Sequence, residues 1–247
     1  MQVDLVARRR IPMVQVDAFT SKPLCGNPAA VVLMTEQCHE RSDDWMLAVA
    51  AENNLSETAF VRIREEEVSL RWFTPTKEVE LCGHATLAAT HALYERNLVP
   101  AGQRICFSTV FSGNLFARRG EDGMIELDFP AVSVEATDFS DVEYEAIING
   151  FRISKADILF TGKTIYDCII EVTPAALRTI IDIDFAAVSR IASRGVVLTC
   201  RGHGSDGQPG HSDFSSRCFF PRYAPYMTKY LGLYGLCEVG MESTRIL

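Results

Sequence analysis

The sequence predicts an α+β fold in which a curled sheet wraps a buried helix. Three observations carry this. Short strand-like runs dominate the chain. They stand both before and after one helical run at 85–96, rather than alternating with helices as βαβ units do. That run, ATLAATHALYER, carries apolar or small residues on nearly every face, so the helix it forms is enclosed and does not lie on an outer surface.

The elements follow in order. Residues 13–19 (MVQVDAF) alternate and are rich in β-branched side chains, which predicts a strand. SKPLCGNP at 21–28 is a turn signal, and the apolar run AAVVLM at 29–34 is a buried strand. Residues 43–52 (DDWMLAVAAE) open on two acids and read as an amphipathic helix. Strands are expected at 57–63 and 68–74, the second ended by Pro75. The buried helix comes next, then strands at 104–109, 114–118 and 124–129. PAVSVEATDFSD at 130–141 reads as a linker dividing a first lobe (11–130) from a second (131–247). The second lobe repeats the style loosely. A helix is expected near 142–149, strands across 158–172, a helix at 174–181 and a strand at 195–200. A Gly-rich loop (201–212), a strand-like run (214–220) and a helix-like run (226–231) complete it.

Composition narrows the function classes. The chain has 247 residues, of which 47% are hydrophobic, enough for packed cores and against disorder. A net charge of -8 argues against nucleic acid and anionic membrane as partners, and Arg8, Arg9 and Arg10 are too short a cluster to change that. No apolar run approaches membrane-spanning length. The eight cysteines form no CxxC pair and no Cys/His ligand spacing, so no metal is expected, and most lie in apolar stretches as core thiols do. The first residues, MQVDLVARRRIPMV, lack the apolar centre of a signal peptide. A reducing, cytoplasmic compartment is the expectation.

The candidate chemistry gathers at ELCGHATLAA (80–89), where Cys82, Gly83 and His84 precede the buried helix. A helix start offers unpaired N–H groups and a partial positive charge, a ready site for an anion. His84 reads either as a cap or satisfied imidazole, or as a group that binds or protonates a substrate. Gly83 lets a ligand approach the backbone. Cys82 is either an inert buried thiol or one whose pKa the helix start lowers for use as base or nucleophile. Glu57, in NNLSETAF, is a solvated loop carboxylate or a general acid/base raised by partial burial. Asp17 interrupts an apolar strand and Asn27 precedes Pro28; each serves local structure or lines a pocket.

Three stretches in order resemble the PhzF family of phenazine-biosynthesis-like proteins, related in fold to diaminopimelate epimerase. They are VDAFTSKPLCGNPAAVV (16–32), NLSETAFV (54–61) and LRWFTPTKEVELCGHATLAATHAL (70–93). The likeness extends weakly to GNLFARRGEDGMIELDFPA (113–131) and DFSSRCFFP (213–221). It implies two diaminopimelate-epimerase-like lobes, each a β-barrel-like sheet around a central helix, with the active site in the cleft between them. It also implies cofactor-free isomerisation of a small carboxylate of the dihydro-hydroxyanthranilate type, without metal, in a homodimer. The family's proton-shuttling glutamate matches Glu57, and its Gly-His pair matches Gly83 and His84.

One departure stands out. The resemblance leads to a D-P-x-T/C-G-S-A-H motif after the DFxSRxFxP segment, whereas here Pro221 is followed by RYAPYMTKYLGLYG. The second lobe is therefore expected to be incomplete and to lack one side of the site. Three functions follow as alternatives: a PhzF-like isomerase, a catalytically impaired member that binds a small ligand or a protein partner, and a cysteine-based epimerase built on Cys82.

Overall fold

The structure, a computed structural model, describes residues 11–34, 41–64, 67–191, 194–201 and 214–220. The chain separates into two compact units that meet at Pro130 and Ala131.

Unit 1 is built on a sheet of eight strands: β1 (Met13–Ala18), β2 (Asn27–Met34), β3 (Thr58–Arg64), β4 (Glu67–Phe73), β5 (Glu78–Val79), β6 (Ile105–Ser108), β7 (Asn114–Arg119) and β8 (Ile125–Asp128). The order is β1-β2-β3-β4-β6-β7-β8, with the two-residue β5 paired to β4. Most joins are antiparallel, but β2–β3 and β4–β6 are parallel. Helix α1 (Asp43–Asn53) lies on the connection from β2 to β3, and α2 (Gly83–Glu95) on that from β4 to β6, as parallel joins require.

The two faces of the sheet are covered by these two helices. On one, Val32, Met34, Phe60 and Phe73 pack with Met46 and Ala50 of α1, and the Phe60 ring meets Trp45 and Phe73 edge-on. On the other, α2 packs against β1, β2 and β3 and also against β7 and β8 near the far end of the order. A strand covered on both sides has no exposed face, which is why Ala29 to Met34 are all buried and apolar. The sheet thus curls round α2. The expected barrel is not seen: among the described residues no hydrogen-bonded pairing joins β1 to β8. The curl rests on side-chain packing against the helix, not on backbone closure.

Helix α1 starts where the acids predict. Ser42 Oγ accepts from the Trp45 N–H at 3.2 Å, and Asp43 and Asp44 occupy the first turn. Asn54 ends it in the left-handed region at φ 51°, which asparagine tolerates. Arg71 of β4 ties the helix to the sheet. Its guanidinium donates twice to Glu78 at 2.6 and 2.7 Å and once to Asp43 at 2.7 Å, holding the Asp43 carboxyl below its usual range.

Unit 2 holds a five-stranded sheet: β9 (Glu135–Ala136), β10 (Ile158–Lys163), β11 (Asp167–Val172), β12 (Gly195–Arg201) and β13 (Phe214–Phe219), ordered β13-β12-β11-β10-β9. Only β11–β12 is parallel. Helices α3 (Asp141–Phe151), α4 (Pro174–Thr179) and α5 (Phe185–Val188) contribute to a core with Ile147, Phe151, Ile170, Val172, Val196 and Leu198. A capping box of Ser140 and Glu143 sets the start of α3. The stretch 130–141, read as a linker, contains β9, which pairs with β10 at Gly162 and Lys163. The short β5 and α5 had no counterpart in the sequence reading. The expected helix at 226–231, most of the loop at 201–212 and the expected missing motif after Pro221 lie outside the described residues.

Among the described residues no helix is long and apolar enough to cross a membrane. Of the six described cysteines, all free thiols, Cys82, Cys168 and Cys200 are buried, whereas Cys25 and Cys106 are exposed. Burial in an apolar run therefore fits half of them.

Candidate functional site

Helix α2 brings the sequence candidates together. Ten of its residues are buried, including Ala85, Ala88, Ala89 and Ala92. Its two buried threonines spend their hydroxyls locally: Thr86 Oγ1 donates to the Cys82 carbonyl at 2.6 Å, and Thr90 Oγ1 to that of Thr86 at 2.8 Å. Such a helix is enclosed without stranding polar groups. The packing fixes where its first turn stands.

That first turn starts at Gly83, two residues earlier than the sequence reading, with Cys82 as the N-cap and no side-chain capping bond. The His84 and Ala85 N–H groups face the Cys82 sulfur, which leaves the Gly83 N–H for another partner. Ala85 and His84 are both buried and Gly83 is half-buried, so Gly83 is the accessible position of this turn. A side chain at Gly83 would approach nothing closer than Phe129 Cε2 at 3.6 Å. Packing does not demand glycine there. Gly83→Ala is expected to keep its thermal stability, a change of under about 1 kcal/mol. A large loss on thermal unfolding would assign this glycine a packing role after all.

Glu57 and His84 meet here. Glu57 immediately precedes β3 and is 7% exposed. Its Oε2 lies 3.3 Å from His84 Nε2, yet has no hydrogen-bond partner within the described structure. On the other side of the ring, Nδ1 is 3.4 Å from Cys82 Sγ. One donor atom each from Glu57, Cys82 and His84 lie within 4.8 Å of one another. These three could hold a metal, a combination invisible in the Cys/His spacing because the carboxylate comes from a different element. Ser56 was missed by the sequence reading. Its Oγ is 3.2 Å from His84 Nε2, and its only signal was its place beside Glu57.

The electrostatics follow from burial. Removal from water holds the His84 imidazole below its ordinary value near 6.5, outweighing the opposite pull of the Glu57 carboxylate. The folded ring is therefore the neutral one. Below about 6.5 the unfolded chain takes up a proton that the folded site resists, so unfolding free energy falls as pH falls through that range. Denaturant titrations across this range should show a shallower fall for His84→Gln; an unchanged slope would show that His84 does not carry it. Cys82 is pushed well above its usual range, first by burial and then by Glu57, against the weaker effect of the His84 and Ala85 N–H groups. The thiol reading at this helix start is thus that of a neutral SH.

The remaining candidates divide. Asp17 Oδ2 accepts from the Leu24 N–H at 2.8 Å and so holds the turn between β1 and β2, where Phe19 and Leu24 have φ of 63°. Asn27 opens β2. Its Oδ1 is buried and has no hydrogen-bond partner in the described structure. Ala30 pairs with Thr58 in the parallel register, so Asn27 stands at the same end of the sheet as Glu57.

The family model for "Phenazine biosynthesis-like protein" matches residues 16–225. An uncharacterized isomerase of Halalkalibacterium halodurans is 41% identical over 211 residues, covering 85% of this chain and 73% of that protein. A phenazine biosynthesis-like domain-containing protein of Homo sapiens is 33% identical over 229 residues, covering 86% and 76%. The crystal structure of a PhzF-family phenazine biosynthesis protein from Enterococcus faecalis superposes with a TM-score of 0.70 at 32% identity, covering 86% of this chain and 74% of that one.

Proposed function

The chain belongs to the phenazine biosynthesis-like (PhzF) family, and on that premise we propose that it isomerises a small carboxylate by cofactor-free acid/base proton transfer. Glu57 carries the proton. The His84 imidazole and the Gly83 N–H hold the substrate's anionic group, and Asn27 lines the pocket. Asp17 contributes through the turn it pins. The observation that carries this reading is the buried Glu57 carboxylate, one oxygen of which has no hydrogen-bond partner, at an uncapped helix start. A proton carrier needs a site closed to bulk water and a lone pair open to the reacting atom. The naming of relatives as isomerases agrees with this class of reaction.

A second reading rests on one sequence observation. The D-P-x-T/C-G-S-A-H segment expected after Pro221 is not in this sequence, so a protein that binds such a carboxylate and turns it over very slowly is the alternative. The cysteine-based epimerase is disfavoured, because burial and the adjacent Glu57 both oppose a Cys82 thiolate.

The deciding experiment follows the full-length protein with a dihydro-hydroxyanthranilate-type substrate in deuterated water by NMR. Isomerisation with deuterium incorporation supports the first reading. Saturable binding without exchange supports the second. Neither binding nor exchange would remove both for this substrate class.

A further inference from the structure

We infer that Glu57, Cys82 and His84 form a site for a borderline-soft divalent cation of the zinc type, one that occupies the proton carrier instead of assisting it. The argument is geometric. The three side chains supply one carboxylate oxygen, one sulfur and one ring nitrogen, a donor set suited to Zn²⁺. Tetrahedral zinc, with bonds of about 2.3 Å to sulfur and about 2.0–2.2 Å to nitrogen and oxygen, sets its donors about 3.3–3.6 Å apart. Here Oε2 and Nε2 are 3.3 Å apart, and the chosen donor atoms all lie within 4.8 Å. A side-chain movement of about 1 Å at the widest pair therefore closes the site, while the fourth position stays open for water.

A second observation points the same way. The Glu57 side chain is 9% exposed and its Oε2 has no hydrogen-bond partner within the described structure. A buried oxygen of this kind calls for a proton or a cation. His84 presents nitrogen on both sides of its ring, Nδ1 toward Cys82 and Nε2 toward Glu57. One cation takes only one of them, and in taking Nε2 beside the Glu57 oxygen it replaces the contact of that nitrogen with Ser56 Oγ at 3.2 Å. The coordination step balances simply. The Cys82 S–H bond breaks, its electron pair forms the metal–sulfur bond, and the proton leaves to solvent. Thiolate and carboxylate then neutralise the two charges of the cation within the site. No redox partner is involved.

The site does not depend on the isomerase reading, and its test needs no substrate. Cobalt(II) serves as the probe on the full-length, reduced protein, because a thiolate–cobalt bond adds a charge-transfer band in the near ultraviolet. One equivalent is expected to bring up that band. Cys82→Ser should abolish it, and His84→Ala and Glu57→Gln should each weaken cobalt binding at least tenfold, with circular dichroism checking that each variant is folded. No band in the wild type, or an undiminished band in folded Cys82→Ser, overturns the site. Should a variant fail to fold, X-ray absorption at the zinc edge of the wild-type complex decides. One sulfur with nitrogen and oxygen neighbours upholds the assignment, and a shell of several sulfurs, or of oxygen alone, refutes it.

Discussion

Glu57→Gln is expected to reduce isomerisation, and with it deuterium incorporation from solvent, by a factor of about 10² to 10⁴. The amide is close in shape to the carboxyl, so the contact with His84 and the start of β3 stay in place. What is lost is the group that accepts and returns a proton. Since His84 Nε2 stands 3.3 Å from the same oxygen, some exchange through the imidazole sets a floor, and Glu57→Gln with His84→Ala should fall below either single variant. Substrate affinity is expected to change far less than turnover, because the carboxylate of the substrate is assigned to the helix start and not to Glu57. The comparison to make is of kcat and KM side by side. A variant with kcat unchanged and KM raised would make Glu57 a binding residue and end its role as proton carrier.

The largest expected effect on stability is at Phe60. It is 1% exposed, sits among Val32, Met34, Met46, Ala50 and Phe73, and makes edge-on contacts with Trp45 at 6.0 Å and Phe73 at 5.5 Å. Removing the ring leaves a cavity between α1 and the sheet, and Phe60→Ala should cost about 3–5 kcal/mol. Phe60→Leu, which keeps most of the volume, should cost about 1–2 kcal/mol. Both tryptophans of the chain, Trp45 and Trp72, belong to unit 1. Their fluorescence through a denaturant titration therefore reports that unit without mixing in the other. A cost below about 1 kcal/mol for Phe60→Ala would mean that the cluster closes over the lost ring.

The elements that sequence made legible are those whose reason is local. Helix α2 announces itself through alanine and leucine on every face, and α1 through the two acids at its start. A continuous apolar run gives β2, and alternation gives β1. The 130–141 segment misled because β9 is two exposed residues long, Glu135 and Ala136, and its strand character comes wholly from its partner β10. Open sheet against closed barrel was likewise beyond reach, since it depends on whether two distant strands share hydrogen bonds. The site was half legible. Gly83 and His84 were marked by their place before a buried helix and Glu57 by its resemblance to a known motif. The meeting of Glu57 with both Cys82 and His84 was not, because it depends on how α2 lies against β3. Asp17 shows the converse: a carboxylate inside an apolar strand left local structure and a pocket both open, and its partner is the turn amide of Leu24.

The parallel joins have a consequence in time. Neighbouring strands linked by a turn, such as β6 with β7 or β7 with β8, close as hairpins on a scale of about 1–10 μs. The β2–β3 and β4–β6 joins cannot form that way, because each waits for a helix-bearing connection to cross over first. Long closures carry their entropic cost before any contact repays it, which slows folding. In unit 1 the hairpins are therefore expected to be early and interchangeable, and the docking of α2 to be the late, committing event. Since α2 also carries Cys82, Gly83 and His84 to Glu57, the site comes into being at that last step, after most of the sheet around it already exists.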